Sequence, residues 1–225
     1  METPNRLALT TFLLACCVRS LSAQEATPTP SDAVRWFAES IRTTGAPTGD
    51  PKGQWVIRFV VHPEQFDRAT VSAVLDGLEQ LAVTDSNERV RVAAVTWLAS
   101  IGESSLENAQ GFGVVPRLRA LYRRTVIRSV RTAVVGKLGM QADSREAALM
   151  LESVASDTTQ AMSNEEWPLA YHAVEALLLL GDDGRTTLRR LSQAKAIANP
   201  VARARLEQLS RSNFMVKQSG LPSTQ

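Results

Sequence analysis

Hydrophobic residues recur with a helical period along the chain, and one such stretch is repeated with a similar sequence. Residues 90–102 read VRVAAVTWLASIG, residues 130–139 VRTAVVGKLG, residues 169–181 LAYHAVEALLLLG and residues 201–209 VARARLEQL. The four copies begin 40, 39 and 32 residues apart. Because their apolar positions fall about every 3.6 residues, each copy is predicted to form an amphipathic helix with one buried stripe.

The first, fifth and ninth positions of each copy are expected to form the core of the repeat. In the last copy, however, the fifth position is Arg205. The predicted core residues are Val90, Ala94, Leu98, Val130, Val134, Leu138, Leu169, Ala173, Leu177, Val201 and Leu209.

A second amphipathic segment accompanies each copy, so one unit is predicted to be a helix, a turn and a helix. These segments are residues 64–82, 114–124, 146–155 and 186–193. A single helix pair cannot cover its own apolar faces, and the pairs are therefore expected to stack. The predicted fold is all-α, a right-handed α-solenoid of stacked antiparallel helix pairs.

The motif Val-Arg-x-Ala-Ala-x-x-x-Leu-x-x-x-Gly resembles HEAT repeats, in particular the short bacterial type named after phycobilisome lyases. The resemblance covers residues 64–211. It implies a repeat-borne arginine, which stands at Arg91 and Arg131 but is replaced in the later copies by Ala170 and Ala202. In the family that arginine meets an aspartate in the turn between helices, and Asp85 is placed to serve Arg91.

The N-terminus has the features of an export signal. Residues 7–18 are a mostly apolar run of twelve, which suits the core of a signal peptide and is short of the ~20 residues that cross a bilayer. Small residues before Gln24 predict cleavage there, giving a signal peptide over residues 1–23 and a linker over 24–31. Alternatively, Leu-Leu-Ala-Cys at 13–16 resembles a bacterial lipobox, which would place a lipid on Cys16. A third possibility is that this N-terminal segment is not cleaved and forms a buried helix.

Residues 32–63 are interpreted as a degenerate capping unit before the repeats. Asp32 is a suitable N-cap for its first helix. The sequence WVIRFVV at 55–61 is rich in β-forming residues, and it could be a strand or a short buried helix. The chain closes with a tail, residues 212–225, that is expected to be disordered at its end.

Composition narrows the function classes. The chain of 225 residues is 44% hydrophobic and 21% charged, which is typical of a globular protein. Its two cysteines are adjacent and its two histidines lie 110 positions apart, so neither a disulfide framework nor a metal cluster is expected. Nucleotide-binding glycine loops and nucleophile motifs are absent from the sequence. His172 is expected to be a packed residue, and Glu165 and Glu166 a charged helix start. The sequence thus predicts no enzyme, no cofactor and no metal.

Charge is segregated along the chain. Residues 108–142 contain no acid but seven bases. One account is that oppositely charged blocks meet as neighbouring repeats stack. The other is a strip that receives an anionic partner, formed by Arg117, Arg119, Arg123, Arg124 and Arg128. On this second account Arg117, Arg123 and Arg124 are expected to be free, whereas Arg131 is held internally. Because aromatic residues for base stacking are sparse here, no nucleic-acid partner is expected.

These features favour a non-enzymatic scaffold of the bacterial cell envelope or exterior, periplasmic or secreted, that binds a protein or peptide. A lipoprotein adaptor anchored through Cys16 is the first alternative, and only that alternative involves a membrane. A lyase-like or anion-binding activity of a HEAT-like protein is the second.

Overall fold

The computed structural model describes residues 28–42, 51–104, 113–141, 144–161, 163 and 165–211. The regular structure in these ranges is helical throughout, which confirms the predicted all-α class. The ten α-helices are α1 Pro30–Arg42, α2 Pro51–Val61, α3 Arg68–Thr84, α4 Glu88–Ser104, α5 Val114–Arg124, α6 Arg128–Gly139, α7 Arg145–Ala155, α8 Leu169–Leu179, α9 Asp182–Ala194 and α10 Pro200–Arg211. Two short 3₁₀ turns, Pro63–Gln65 and Thr158–Gln160, lie between them.

The helices form two layers. Each even-numbered helix contacts the next even-numbered helix, from α2 through α10, and each odd-numbered helix contacts the next odd-numbered one, from α1 through α9. The largest contacts between layers join α3 to α4 and α7 to α8. We call these the even layer and the odd layer. The repeat copies found in the sequence are α4, α6, α8 and α10, so all four belong to the even layer.

The segment at 55–61 belongs to helix α2, which settles the alternative that the sequence left open. Trp55, Val56 and Phe59 are buried, at a spacing of one and four residues that only a helix places on one side. The described residues include no strand that could pair with this segment. Asp32 is not an N-cap: α1 begins at Pro30, a residue suited to the first turn, and the Thr29 hydroxyl accepts the Asp32 N–H at 3.2 Å.

An aromatic cluster joins the N-terminal helices to the first repeat helix. The Phe37 ring of α1 lies 4.8 Å from the Trp97 ring of α4 and 6.1 Å from the Phe59 ring of α2. Trp55 stacks on Phe59 at 4.9 Å. Offset and edge contacts of this kind add to the stabilisation from apolar burial. Helices α1 and α2 therefore share one continuous core with the repeats.

The predicted core residues of the first two copies are fully buried, as are Ala173 and Leu177 of the third. Leu209 is 6% exposed, whereas Leu169 and Val201 are half-buried. The register predicted for the last copy is displaced by one residue, because Ala202 rather than Val201 faces the core. The Asn199 side chain fixes this start of α10 by accepting the backbone N–H of Val201 and of Ala202.

A guanidinium closes the turn before three of the four repeat helices. Arg91 donates to the carbonyl of Asp85 at 2.6 Å, Arg131 to that of Thr125 at 2.7 Å and Arg203 to that of Ile197 at 3.0 Å. In every case the arginine is the fourth residue of its helix and the acceptor lies six residues earlier. We call these contacts the turn clamps. They correct the expectation that the last copy lacks its arginine.

The acceptor in each clamp is a backbone carbonyl, whereas the HEAT resemblance implied an aspartate side chain. The Asp85 carboxylate pairs instead with Arg42 of α1. In the third copy, where alanine replaces the arginine, the Gln160 side chain accepts the N–H of Ala170 at 2.8 Å. An uncharged side chain thus provides a hydrogen bond in the turn that lacks a guanidinium.

In the part of the chain that the structure describes, no helix combines the length and the apolar character needed to cross a membrane.

Candidate interaction surface

The even layer presents one helical face that other helices bury only in part, and Arg205 of α10 pairs with one of its residues, Glu175, at 2.5 Å. The third, seventh and eleventh positions of the first three copies are exposed or half-buried, whereas the first or second, fifth and ninth positions are buried. Residues four apart lie on the same side of a helix, so these positions form one stripe on each helix. We call the nine residues the open face: Val92, Thr96, Ser100, Thr132, Gly136, Met140, Tyr171, Glu175 and Leu179.

The middle of the open face is occupied by a glycine, Gly136, which has open space beside it. A Cβ added to the exposed Gly136 would meet no atom within 4 Å, so the surface of α6 has room for a side chain at this point. Met140 is 52% exposed and Leu179 is 68% exposed, and both stand at the C-terminal ends of their helices. A shallow surface bordered by exposed apolar side chains is typical of a protein contact.

The opposite end of the face carries the residue types that dominate protein interfaces. Trp167 is 46% exposed, and its ring lies 4.8 Å from the ring of Tyr171. The Arg128 guanidinium donates to the Trp167 carbonyl at 2.8 Å and pairs with Glu165 at 2.9 Å. Trp, Tyr and Arg are enriched among the residues that contribute most to binding. Glu165 was expected to lie in a charged first turn, but α8 begins only at Leu169, and Glu165 forms an ion pair with Arg128 instead.

His172 packs beside this group. Its ring contacts the Tyr171 ring at 6.0 Å. Burial, together with the nearby Arg128 charge, lowers the pKa of His172, which Glu175 and Glu165 only partly oppose. The folded chain therefore favours the neutral imidazole. This agrees with a packed histidine.

The lowered pKa of His172 predicts a pH dependence of stability. At pH values from 6.5 downwards the unfolded chain binds this proton more readily than the folded chain, so the free energy of unfolding rises with pH through this window and its gain is complete above it. Urea unfolding at pH 5.5 and 7.5 should show a smaller pH dependence for His172→Gln than for the parent. An unchanged difference between the two pH values would contradict this account.

A separate apolar cleft lies at the N-terminal end of the even layer. Its volume is about 260 Å³, and Ile57 and Val61 at its rim are 49% and 52% exposed. Trp97 of the first repeat helix also lines it. The complete lining is Ser40, Gly53, Val56, Ile57, Val60, Val61 and Trp97.

Four of the five arginines proposed for an anionic partner are held by carboxylates. Arg117 of α5 pairs with Asp76 at 2.5 Å and Glu79 at 2.7 Å, and its side chain is only 20% exposed. Arg124 also approaches Glu79, at 3.5 Å. The expectation that these two residues are free is wrong, because the acids of α3 lie directly across the odd layer from them.

The other arginines of the proposed strip include two that form ion pairs and one that does not. Arg119 pairs with Glu146 of α7 at 2.9 Å, and the Arg128 pair is described above. Arg123 is exposed and makes no ion pair with another described residue. Arg131, expected to be held internally, forms a turn clamp and lies 4.9 Å from the Tyr122 ring. The geometry thus supports stacking between helices as the reason for most of this charge.

Arg117 and Arg123 offer a matched comparison of these two roles. Arg117→Ala should lower the free energy of unfolding by about 1–3 kcal/mol, since it removes charged hydrogen bonds and leaves the mostly buried Glu79 poorly compensated. Arg123→Ala should change it by less than about 0.5 kcal/mol, like most exposed substitutions. Denaturant titration of the two variants would measure both effects. Equal losses would mean that Arg123 also has a packing role.

The described residues hold no group of three or more His, Cys, Asp or Glu side chains that could bind a metal ion. Cys16 lies outside the described residues, as do the signal segment and the tail.

Comparisons with known proteins identify no relative. No family model matches the chain, and no curated protein or solved structure matches it. The candidate surface is therefore defined by its own geometry.

Proposed function

We propose that this chain is a HEAT-like scaffold, a right-handed α-solenoid without enzymatic activity, that binds a protein or peptide partner along the open face. The observation that carries the proposal is the pairing of a repeated, buried stripe with a repeated stripe that is exposed or half-buried. The same three even helices supply both, at fixed positions of the copies. A rigid row of parallel helices offers many shallow contacts to an extended partner.

The distribution of exposed apolar residues supports this choice of face. Two of the exposed large hydrophobic residues, Met140 and Leu179, belong to the open face, and Trp167 contacts its Tyr171. Scattered apolar residues on a surface are ordinary, but apolar residues grouped on one face are typical of a contact surface.

Gly136 provides a direct test of the open face. The tagged chain would be cross-linked in the cells that produce it and purified, and its co-purifying proteins would be quantified for the parent and for three variants. Gly136→Arg places a large side chain in the middle of the open face, and we expect it to abolish binding of the partner. Gly136→Ala should keep the partner. Ala120→Arg, which adds the same side chain at an exposed position of α5, should keep it too.

Thermal unfolding of the same variants separates lost binding from lost folding. Because an added Cβ at Gly136 meets no neighbour, Gly136→Arg should unfold at or above the parent temperature. Equal recovery of the partner by Gly136→Arg and the parent would overturn the open face as the binding surface.

The proposal also places the protein outside the cytoplasm, either periplasmic or secreted. The support is the sequence of the first 23 residues. N-terminal sequencing of the native protein should find Gln24 first. A blocked N-terminus at Cys16 carrying a diacylglycerol mass would instead identify the lipoprotein adaptor.

A further inference from the structure

The nine residues of the open face form three rows in the proposed stack. Equal positions of stacked repeats lie side by side, so each row runs across α4, α6 and α8. The third positions of the copies form the first row, the seventh positions the middle row and the eleventh positions the last row. Four residues of helix separate neighbouring rows, which corresponds to about 6 Å.

The middle row is a gap between two borders that stand about 12 Å apart, the rise of eight helical residues. On α6 the gap is open at Gly136, where an added Cβ would meet no atom within 4 Å. On α8 the borders are Tyr171 and Leu179, which is 68% exposed. Between them Arg205 of α10 holds the Glu175 carboxylate at 2.5 Å.

The width of this gap selects the backbone form of a partner that lies in it. An α-helix with its side chains is about 10–12 Å across, and the border side chains already take part of the 12 Å. A β-strand needs a neighbouring strand for its backbone hydrogen bonds, and the described residues include none. A polyproline II helix is narrow and makes no hydrogen bonds of its own, so it fits without either requirement.

The spacing of the helices matches the period of polyproline II. Packed helices lie about 8–10 Å apart. Polyproline II has three residues per turn and rises about 3.1 Å per residue, so every third side chain recurs after about 9.3 Å. One side of such a segment can therefore place one residue on each of α4, α6 and α8. The side chains of a β-strand recur after about 6.7 Å and lose this register.

The open face carries almost no net charge. Glu175 is its only charged residue, and that residue is paired with Arg205. Arg128 and Glu165, which lie beside Trp167, pair with each other at 2.9 Å. A charged segment placed on this face would lose water without gaining an opposite charge. The face thus favours a partner segment without charges.

Trp167 and Tyr171 add an aromatic platform at the α8 end of the face. Their rings lie 4.8 Å apart, and Trp167 is 46% exposed. Surfaces lined by aromatic rings bind proline-rich segments in the polyproline II form. The indole N–H and the phenol O–H are also donors, and the backbone carbonyls of polyproline II are free to accept from them.

We infer that the partner of the open face is an uncharged, proline-rich segment in the polyproline II conformation. Every third residue of the segment contacts one of the helices α4, α6 and α8, and its prolines pack on Trp167 and Tyr171. This inference rests on the proposed function and names the class of its partner.

The probe is the uncharged 12-residue peptide acetyl-(Leu-Pro-Pro)₄-amide, which repeats one side chain at every third position. Titrated into the ¹⁵N-labelled full chain, it should shift the backbone amide resonances of residues 132–140 and 167–179 saturably. A peptide of the same composition in an order without the three-residue period should bind at least about tenfold more weakly. Acetyl-(Glu-Pro-Pro)₄-amide and acetyl-(Lys-Pro-Pro)₄-amide keep the conformation but carry charges, and each should also lose at least about tenfold.

Variants locate the peptide on the face. Trp167→Ala and Gly136→Arg should each weaken peptide binding at least about tenfold, as expected for central contacts of an interface. Leu179→Ala should weaken it at least about threefold. Leu149→Ala removes the same atoms from an exposed leucine of α7 and should leave peptide binding unchanged.

Three results would overturn the inference. They are the absence of saturable shifts, equal binding of the reordered or charged peptides, and undiminished binding to Trp167→Ala or Gly136→Arg. The co-purification experiment on Gly136→Arg tests the scaffold separately. If that variant loses its cellular partner but the parent does not bind the peptide, the open face remains the binding surface and its partner belongs to another class.

Discussion

Gly184→Ala is expected to lower the free energy of unfolding by about 3 kcal/mol or more. A Cβ at this third residue of α9 would overlap the carbonyl oxygen of Leu177 and lie 2.9 Å from its carbonyl carbon. These are backbone atoms of α8, which cannot move aside as the end of a side chain can. The turn that joins α8 to α9 is equally demanding, because Gly181 has φ of 88°.

Gly136→Ala is the control for this prediction. Both glycines lie inside helices, so the higher helix propensity of alanine acts on both equally. At Gly136 nothing opposes it, and the free energy of unfolding should rise by about 0.5–1 kcal/mol. Urea titrations of the two variants would measure the contrast. A Gly184→Ala protein as stable as the parent would show that α8 and α9 do not approach as closely as described.

Leu138→Ala is expected to cost about 2–5 kcal/mol, the range for a buried leucine. Leu138 is completely buried at the ninth position of the second copy, on a helix that contacts α4 and α8 in its own layer. Neighbours on both sides restrict collapse into the space that the smaller side chain leaves. Calorimetric or denaturant unfolding would give the value.

Leu179→Ala removes the same atoms from a side chain that is 68% exposed. Its expected effect is below about 0.5 kcal/mol. Similar losses for the two leucines would contradict the division of the repeat helices into a buried stripe and an open face.

Much of this division could be predicted from sequence, because helical periodicity directly records which side of a helix is buried. The segment predicted at 114–124 is helix α5, and the segment predicted at 146–155 begins one residue after the start of α7. Periodicity is less informative where a copy is short of apolar residues. In the last copy Val201 and Ala202 are both acceptable core residues, and the Asn199 cap, rather than hydrophobicity, sets the register.

The charged positions were less predictable. Arg117 and its partner Asp76 are 41 residues apart, about one repeat, so the pair forms only once the helices stack. A count of bases in one segment cannot reveal acids that approach from another.

The turn clamps and the ion pairs between helices differ in their response to salt. A backbone carbonyl carries no net charge, so the contacts of Arg91, Arg131 and Arg203 are not ion pairs. In the odd layer α5 to α9 are joined to their neighbours by partly exposed ion pairs, which salt screens. High salt is therefore expected to weaken the contacts between odd helices, while the turns that begin α4, α6 and α10 keep their hydrogen bonds.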